Sequence, residues 1–197
     1  MISRIRGVLV NKEIDRAEIA TPGGVTYELL IPSSGFETLP RIGQEVELHA
    51  ALLGRDDGLE LFGFRDELER KLFLRLQSAS GVGPRLALTM LGTMSVAQLV
   101  DAIRGRDLAR LCTVNGVGKK KAERIALELG DKLDDMVTAV AEVEPEGAVV
   151  ESAVSALVAL GYSRTESESA VRNALKGSDD GDRGVESLVR EALAGLS

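Results

Sequence analysis

Lys119, Lys120 and Lys121 follow directly on Gly116-Val117-Gly118, and Arg85 follows on Gly81-Val82-Gly83-Pro84 in the same way. Cations set just behind glycines suit one chemistry above others, the binding of an anion by main chain and side chain together. Each stretch reads as the end of one helix, a tight turn, and the start of the next. Glycine supplies the positive φ or close approach that such a corner needs. Proline is well tolerated at a first helical position, where Pro84 falls. The valine between each pair of glycines is expected to plug the gap between the two helices. A helix start carries unpaired N–H groups and a partial positive charge, so it attracts anions.

The two stretches lie 35 residues apart, from Gly81 to Gly116, with basic residues at the same place in each. One such turn is an ordinary helix–helix corner; a repeated one with matched cations points to a shared ligand. The pattern resembles the helix-hairpin-helix motif of DNA-binding proteins that do not read sequence. Nothing in it reaches a base edge, so the expected readout is phosphate position. It is not a nucleotide-binding loop. Thr113 stands where the P-loop needs its first glycine, and Lys120 follows Lys119 where Ser or Thr is required. ATP-driven work would have to come from a partner.

A second cluster is acidic. Gly54-Arg55-Asp56-Asp57-Gly58 has the composition of a hairpin turn, for which Asp and Gly are ordinary residues. Paired carboxylates also hold Mg²⁺ in nucleases, but such sites need further carboxylates converging on them, and no spacing here supplies them. The chain has one cysteine and one histidine, His49, so neither a disulfide framework nor a His/Cys metal cluster is expected, and no cofactor. With no tryptophan and six other aromatics, it lacks the stacking platforms of single-strand binders. No apolar run reaches the roughly 20 residues of a membrane span, and no signal-peptide pattern opens the chain. A cytoplasmic location is the expectation.

The net charge of −7 looks wrong for a nucleic-acid binder until it is divided along the chain. Residues 1–64 carry 6 basic and 10 acidic side chains, residues 65–136 carry 13 and 10, and residues 137–197 carry 5 and 11. Both basic turns lie in the only net-positive block. Binding is therefore expected on one face.

The elements that position these residues follow from periodicity. From Met1 to Phe64 the period is two, with strands expected at 2–10, 16–21, 25–31, 45–53 and 59–64. Gly23-Gly24 marks a hairpin, and Gly7 a bend in the first strand. Five short strands in this length fit a closed barrel of the OB type. From Asp66 onward the period is helical, over 66–79, 86–91, 96–103, 107–111 and 119–133, with Ser95 and Asp107 as caps. Cys112 is expected in the core. Asp134–Gly147 is acidic and reads as a flexible linker. Three short amphipathic helices then span 148–160, 164–175 and 184–196. The expected fold is thus α+β and multi-domain. It comprises an OB-type barrel (1–64), an all-α tandem helix-hairpin-helix domain (65–133), a linker (134–147) and a small three-helix domain (148–197).

Taken together, Met1-Ile2-Ser3-Arg4-Ile5-Arg6-Gly7, Leu61-Phe62-Gly63-Phe64, Ser80 to Leu88, Gly116 to Arg124 and Leu157-Val158-Ala159-Leu160-Gly161-Tyr162 resemble the RuvA family over the whole length. One departure is Asn115, where the family usually has proline. The resemblance implies a non-catalytic subunit that holds a four-way (Holliday) junction open and square, as a homotetramer or a paired octamer. It implies DNA contacts by Gly81, Val82, Gly83, Pro84 and Arg85, and by Gly116, Val117, Gly118, Lys119, Lys120, Lys121 and Arg124. Asp56 and Asp57 would form an acidic pin at the crossover. The tail would have a UBA-like fold and, through Leu157, Leu160 and Tyr162, would bind RuvB, the hexameric ATPase of branch migration, with RuvC resolvase as a further partner. Recombination, DNA repair and the SOS response are the implied setting, in a bacterial cytoplasm near the nucleoid. Read without the resemblance, the same residues leave two rivals open. One is a nuclease, glycosylase or ligase-like enzyme, and the other a general duplex clamp.

Overall fold

The computed structural model describes residues 2–55, 58–137, 146–160, 162, 164–177 and 185–196. The chain divides into two compact units, Met1–Val140 and Ala141–Ser197.

The first unit opens with five strands, β1 (Arg4–Glu13), β2 (Arg16–Ala20), β3 (Thr26–Leu30), β4 (Glu45–Arg55) and β5 (Gly58–Phe64). They close into a barrel in the order β1-β2-β3-β5-β4. All pairings are antiparallel except the parallel closure of β3 on β5 at Leu30 and Phe62. Alternation decides which side chains enter: Ile5, Leu9, Ala17, Ile19, Leu29 and Leu48 fill the interior while Arg4, Arg6 and Val8 point out. β1 is long enough to serve two partners, pairing with β4 through Val8 and with β2 from Val8 onward. Gly7 sits at this changeover, where an added Cβ would lie 2.3 Å from the Ala20 carbonyl oxygen. The expected corner at Gly7 is therefore a close backbone approach that no other residue permits. A one-turn helix, α1 (Gly35–Thr38), which the period did not reveal, bridges β3 and β4.

Six further elements follow in the same unit: α2 (Glu67–Leu76), α3 (Pro84–Thr93), α4 (Val96–Arg104), α5 (Leu108–Leu111), α6 (Lys119–Leu129) and a 3-10 turn (Gly130–Leu133). Asp66, Ser95 and Asp107 cap α2, α4 and α5 by accepting from the N–H three residues on. Ser95 and Gln98 complete a reciprocal capping box. The barrel and the helices share one core. Phe62 and Phe64, on the outward side of β5, pack on Phe73 of α2 with ring centroids 4.9 and 4.7 Å apart. All three rings are almost wholly buried. Such pairs contribute about 0.5–1.5 kcal/mol each beyond their burial. Ser34 Oγ donates to the Leu91 carbonyl at 3.0 Å, and His49 Nδ1 lies 3.0 Å from Glu67 Oε2, so polar contacts cross the same seam.

Residues 134–137, expected to open a flexible linker, are instead helical and belong to this unit. Arg75 pairs with both Asp135 carboxylate oxygens at 3.0 and 2.8 Å and also donates to the Lys132 carbonyl. Arg104 pairs with Asp134 at 2.9 Å. Met136 is buried in the shared core. The acidic run looked solvated because its partners lie 30 and 60 residues away in sequence.

The second unit holds α7 (Glu146–Ala159), α8 (Arg164–Gly177) and α9 (Val185–Leu196). Its small core gathers Ala153, Val154, Leu157, Val171, Leu188 and Ala192. Among the described residues no single helix of either unit is long and apolar enough to cross a membrane.

Candidate nucleic-acid interface

The two glycine turns have the same backbone. Gly81 and Gly116 take φ of +84° and +88°, left-handed values that glycine alone adopts freely. Gly83 and Gly118 then cap α3 and α6 with φ, ψ of −88°, 174° and −90°, 171°. The hydrogen bonds match as well. Val82 N–H donates to the Ala79 carbonyl and Val117 N–H to the Val114 carbonyl. Ser78 Oγ and Thr113 Oγ1 each donate 2.8 Å back to the carbonyl three residues earlier. Val82 and Val117 are both 4% exposed and plug the gap as expected. Their N–H groups are used inside the turns, so they shape the corner rather than donate outward.

What faces outward is the start of each second helix. Arg85, Lys119, Lys120 and Arg124 are exposed, and Lys121, half-buried, donates from Nζ to the Gly116 carbonyl at 2.9 Å. Neither α3 nor α6 has an acidic residue in its first turn. By contrast α2, α8 and α9 carry Glu67 and Glu69, Glu166, and Glu186 there. Acidic residues at those ends offset the helix dipole internally, and α4 and α5, which lack them, are capped by the Ser95 and Asp107 side chains; α3 and α6 have neither.

Each turn is braced by the other hairpin. Leu86 of α3 lies against the second turn, with its Cδ1 3.4 Å from where a Gly116 Cβ would stand. Glu128 of α6 reaches the first turn, where it accepts from Ser80 N–H at 2.8 Å and Ser80 Oγ at 3.2 Å. The Ser80 N–H in particular, helped by the Ser80 hydroxyl, Arg124 and Lys132, holds the Glu128 carboxyl below the usual range against a smaller opposing effect of burial. The two helix starts are thereby fixed relative to one another. Sequence offered no sign of this brace, since its members stand 48 residues apart.

Arg85 is tied to the barrel, because its Nη2 donates to Glu60 of β5 at 3.2 Å. Glu60 also went unremarked in the sequence, where it is one acidic residue in a strand. Asp56 and Asp57 lie outside the described residues; the strands that lead to them pair up to Arg55 and Gly58. Cys112, expected in the core, is exposed. It corresponds to half-buried Gln77 of the first hairpin and sits at the C-cap of α5, a turn too short to bury both sides. In the tail, Leu157 is wholly buried and Tyr162 half-buried, while Leu160 is 62% exposed.

Comparison with known proteins matches this arrangement piece by piece. Residues 1–63 match the RuvA N terminal domain, residues 73–131 the SAM-like helix-hairpin-helix tandem, and residues 148–197 the RuvA C-terminal domain. Among similar curated proteins, one from Gemmatimonas aurantiaca is 45% identical over 197 residues, covering 100% of this chain and 99% of its own. One from Prosthecochloris aestuarii is 41% identical over 200 residues, covering 100% and 98%. One from Acidobacterium capsulatum is 40% identical over 195 residues, covering 98% of each. All three are named Holliday junction branch migration complex subunit RuvA.

Proposed function

This chain belongs to the RuvA family, and on that premise we propose that it is the non-catalytic subunit that binds Holliday junctions in branch migration. The observation that carries the reading is the pair of matched helix starts, each with a free positive end, exposed cations and a glycine cap. Both turns grip phosphates through Gly83 and Arg85, and through Gly118, Lys119 and Lys120, with Arg124 alongside. Gly81, Val82, Pro84, Gly116, Val117 and Lys121 hold the turns in shape. The contacts ignore base identity.

A single chain offers two grips, too few to organise four arms. A homotetramer supplies the symmetry that a square junction requires. Asp56 and Asp57, repeated around that axis, set carboxylates against phosphates at the crossover. One such pair repels by only about 0.4 kcal/mol at about 10 Å in water, and several-fold more in a poorly solvated centre. Summed over the ring, that keeps the strands apart. The tail docks on the RuvB motor through the exposed end of α7 at Val158 and through Leu160 just beyond it, while Leu157 holds the helix in place.

A gel shift on four-way, three-way and linear DNA, with and without Mg²⁺, tests the proposal. Selective retention of the four-way species without cleavage is the expected result. Equal affinity for all three would favour a general duplex clamp. Cleavage in Mg²⁺ that Asp56→Asn with Asp57→Asn abolishes would make the protein a nuclease.

A further inference from the structure

The two grips are not electrically alike. Among the described residues Lys119 and Lys120 show no ion pair, whereas Arg85 pairs with Glu60 at 3.2 Å. Side-chain exposure is 54% for Arg85 and 23% for Glu60, so the carboxylate is the more firmly seated partner. Glu60 stands on β5 two residues after Gly58, where the hairpin holding residues 56 and 57 closes on Arg55. The pair therefore joins the barrel hairpin to the first helix start.

We infer that Glu60 is an internal competitor for the first grip: it holds Arg85 in the free protein and gives it up to a DNA phosphate. This rests on the reading of Arg85 as a phosphate contact. An ion pair this exposed is weak, and a guanidinium fork binds phosphate at least as well as carboxylate, so exchange is easy. Part of the affinity of Arg85 for phosphate is spent on breaking this pair. The first grip is thus set weaker than its cation count suggests. A single duplex arm then binds poorly, and firm binding depends on many grips acting together.

A double-mutant cycle on the full chain tests this, with fluorescence anisotropy on linear duplex and four-way DNA over a salt series. Glu60→Gln is expected to tighten duplex binding by about 3- to 10-fold and to steepen its salt dependence. Glu60→Ala, which leaves no amide behind, must change affinity in the same direction; thermal melting checks that both variants fold. In an Arg85→Ala background the gain must vanish. A gain that persists there would mean Glu60 repels DNA generally, and the inference falls. Unchanged or weaker binding on removing Glu60, with Arg85→Ala still costing affinity, also overturns it. If Arg85→Ala costs nothing, the phosphate role of Arg85 fails first and takes the inference with it.

Discussion

Glu128 of α6 accepts both the backbone N–H and the hydroxyl of Ser80, so the second hairpin holds the first turn in place. Glu128→Ala is expected to loosen that turn and weaken DNA binding several-fold, with little change in melting temperature. Glu128→Gln keeps one acceptor and should fall between. Because the carboxyl titrates below the usual range, the brace is complete at neutral pH and is lost as pH falls through its lowered pKa. The Ser80 amide resonance, followed by NMR against pH, should report that titration. An amide insensitive to pH would remove the brace.

Gly83 and Gly118 separate ligand demands from fold demands. Both have ordinary extended backbone, and an added Cβ at either would meet no atom within 4 Å. Alanine at these positions should therefore fold normally. If phosphates approach the main chain there, Gly83→Ala with Gly118→Ala should cost at least tenfold in DNA affinity without lowering the melting temperature. Gly81→Ala or Gly116→Ala should instead cost stability too, by about 1–2 kcal/mol, since each forces a Cβ into the left-handed region.

The residues after Leu133 predict where the first unit can be cut. A chain ended at Leu133 loses Met136 from the core and the aspartate partners of Arg75 and Arg104. A chain ended at Val137 keeps them. Burial of one such methionine is worth about 1.5–3 kcal/mol. The shorter chain should melt roughly 5–10 °C lower than the longer one, by calorimetry.

For the tail, exposure decides which apolar residue can meet a partner. Leu160→Asp should leave the far-ultraviolet circular dichroism unchanged yet abolish stimulation of the RuvB motor. Leu157→Asp buries a charge in a small core and should unfold the tail outright. A motor stimulated normally by Leu160→Asp protein would put the docking surface elsewhere.

The barrel was legible because Ile5, Leu9, Ile19 and Leu48 alternate with polar residues, and each strand reports its own period. The hairpins were legible because the positive φ at Gly81 and Gly116 calls for glycine locally. The links between elements were not. Glu60 with Arg85, Glu128 with Ser80 and Arg75 with Asp135 are 25, 48 and 60 residues apart, and an acidic residue reads alike whether paired or solvated. Cys112 was misplaced for a related reason. Its neighbour Leu111 is buried, and a four-residue helix gives too little period to say on which side the next residue falls. Nothing in the sequence links Phe62 and Phe64 to Phe73; only the fold joins them across the barrel and α2.

The salt dependence of junction binding tests the phosphate grips most directly, because each phosphate contact contributes about 0.9 to the slope of log affinity against log salt. Lys119→Ala with Lys120→Ala should weaken binding equally on junctions of unrelated sequence and flatten that slope by at least about one unit. A slope identical to that of the unaltered protein would contradict contact between these lysines and DNA.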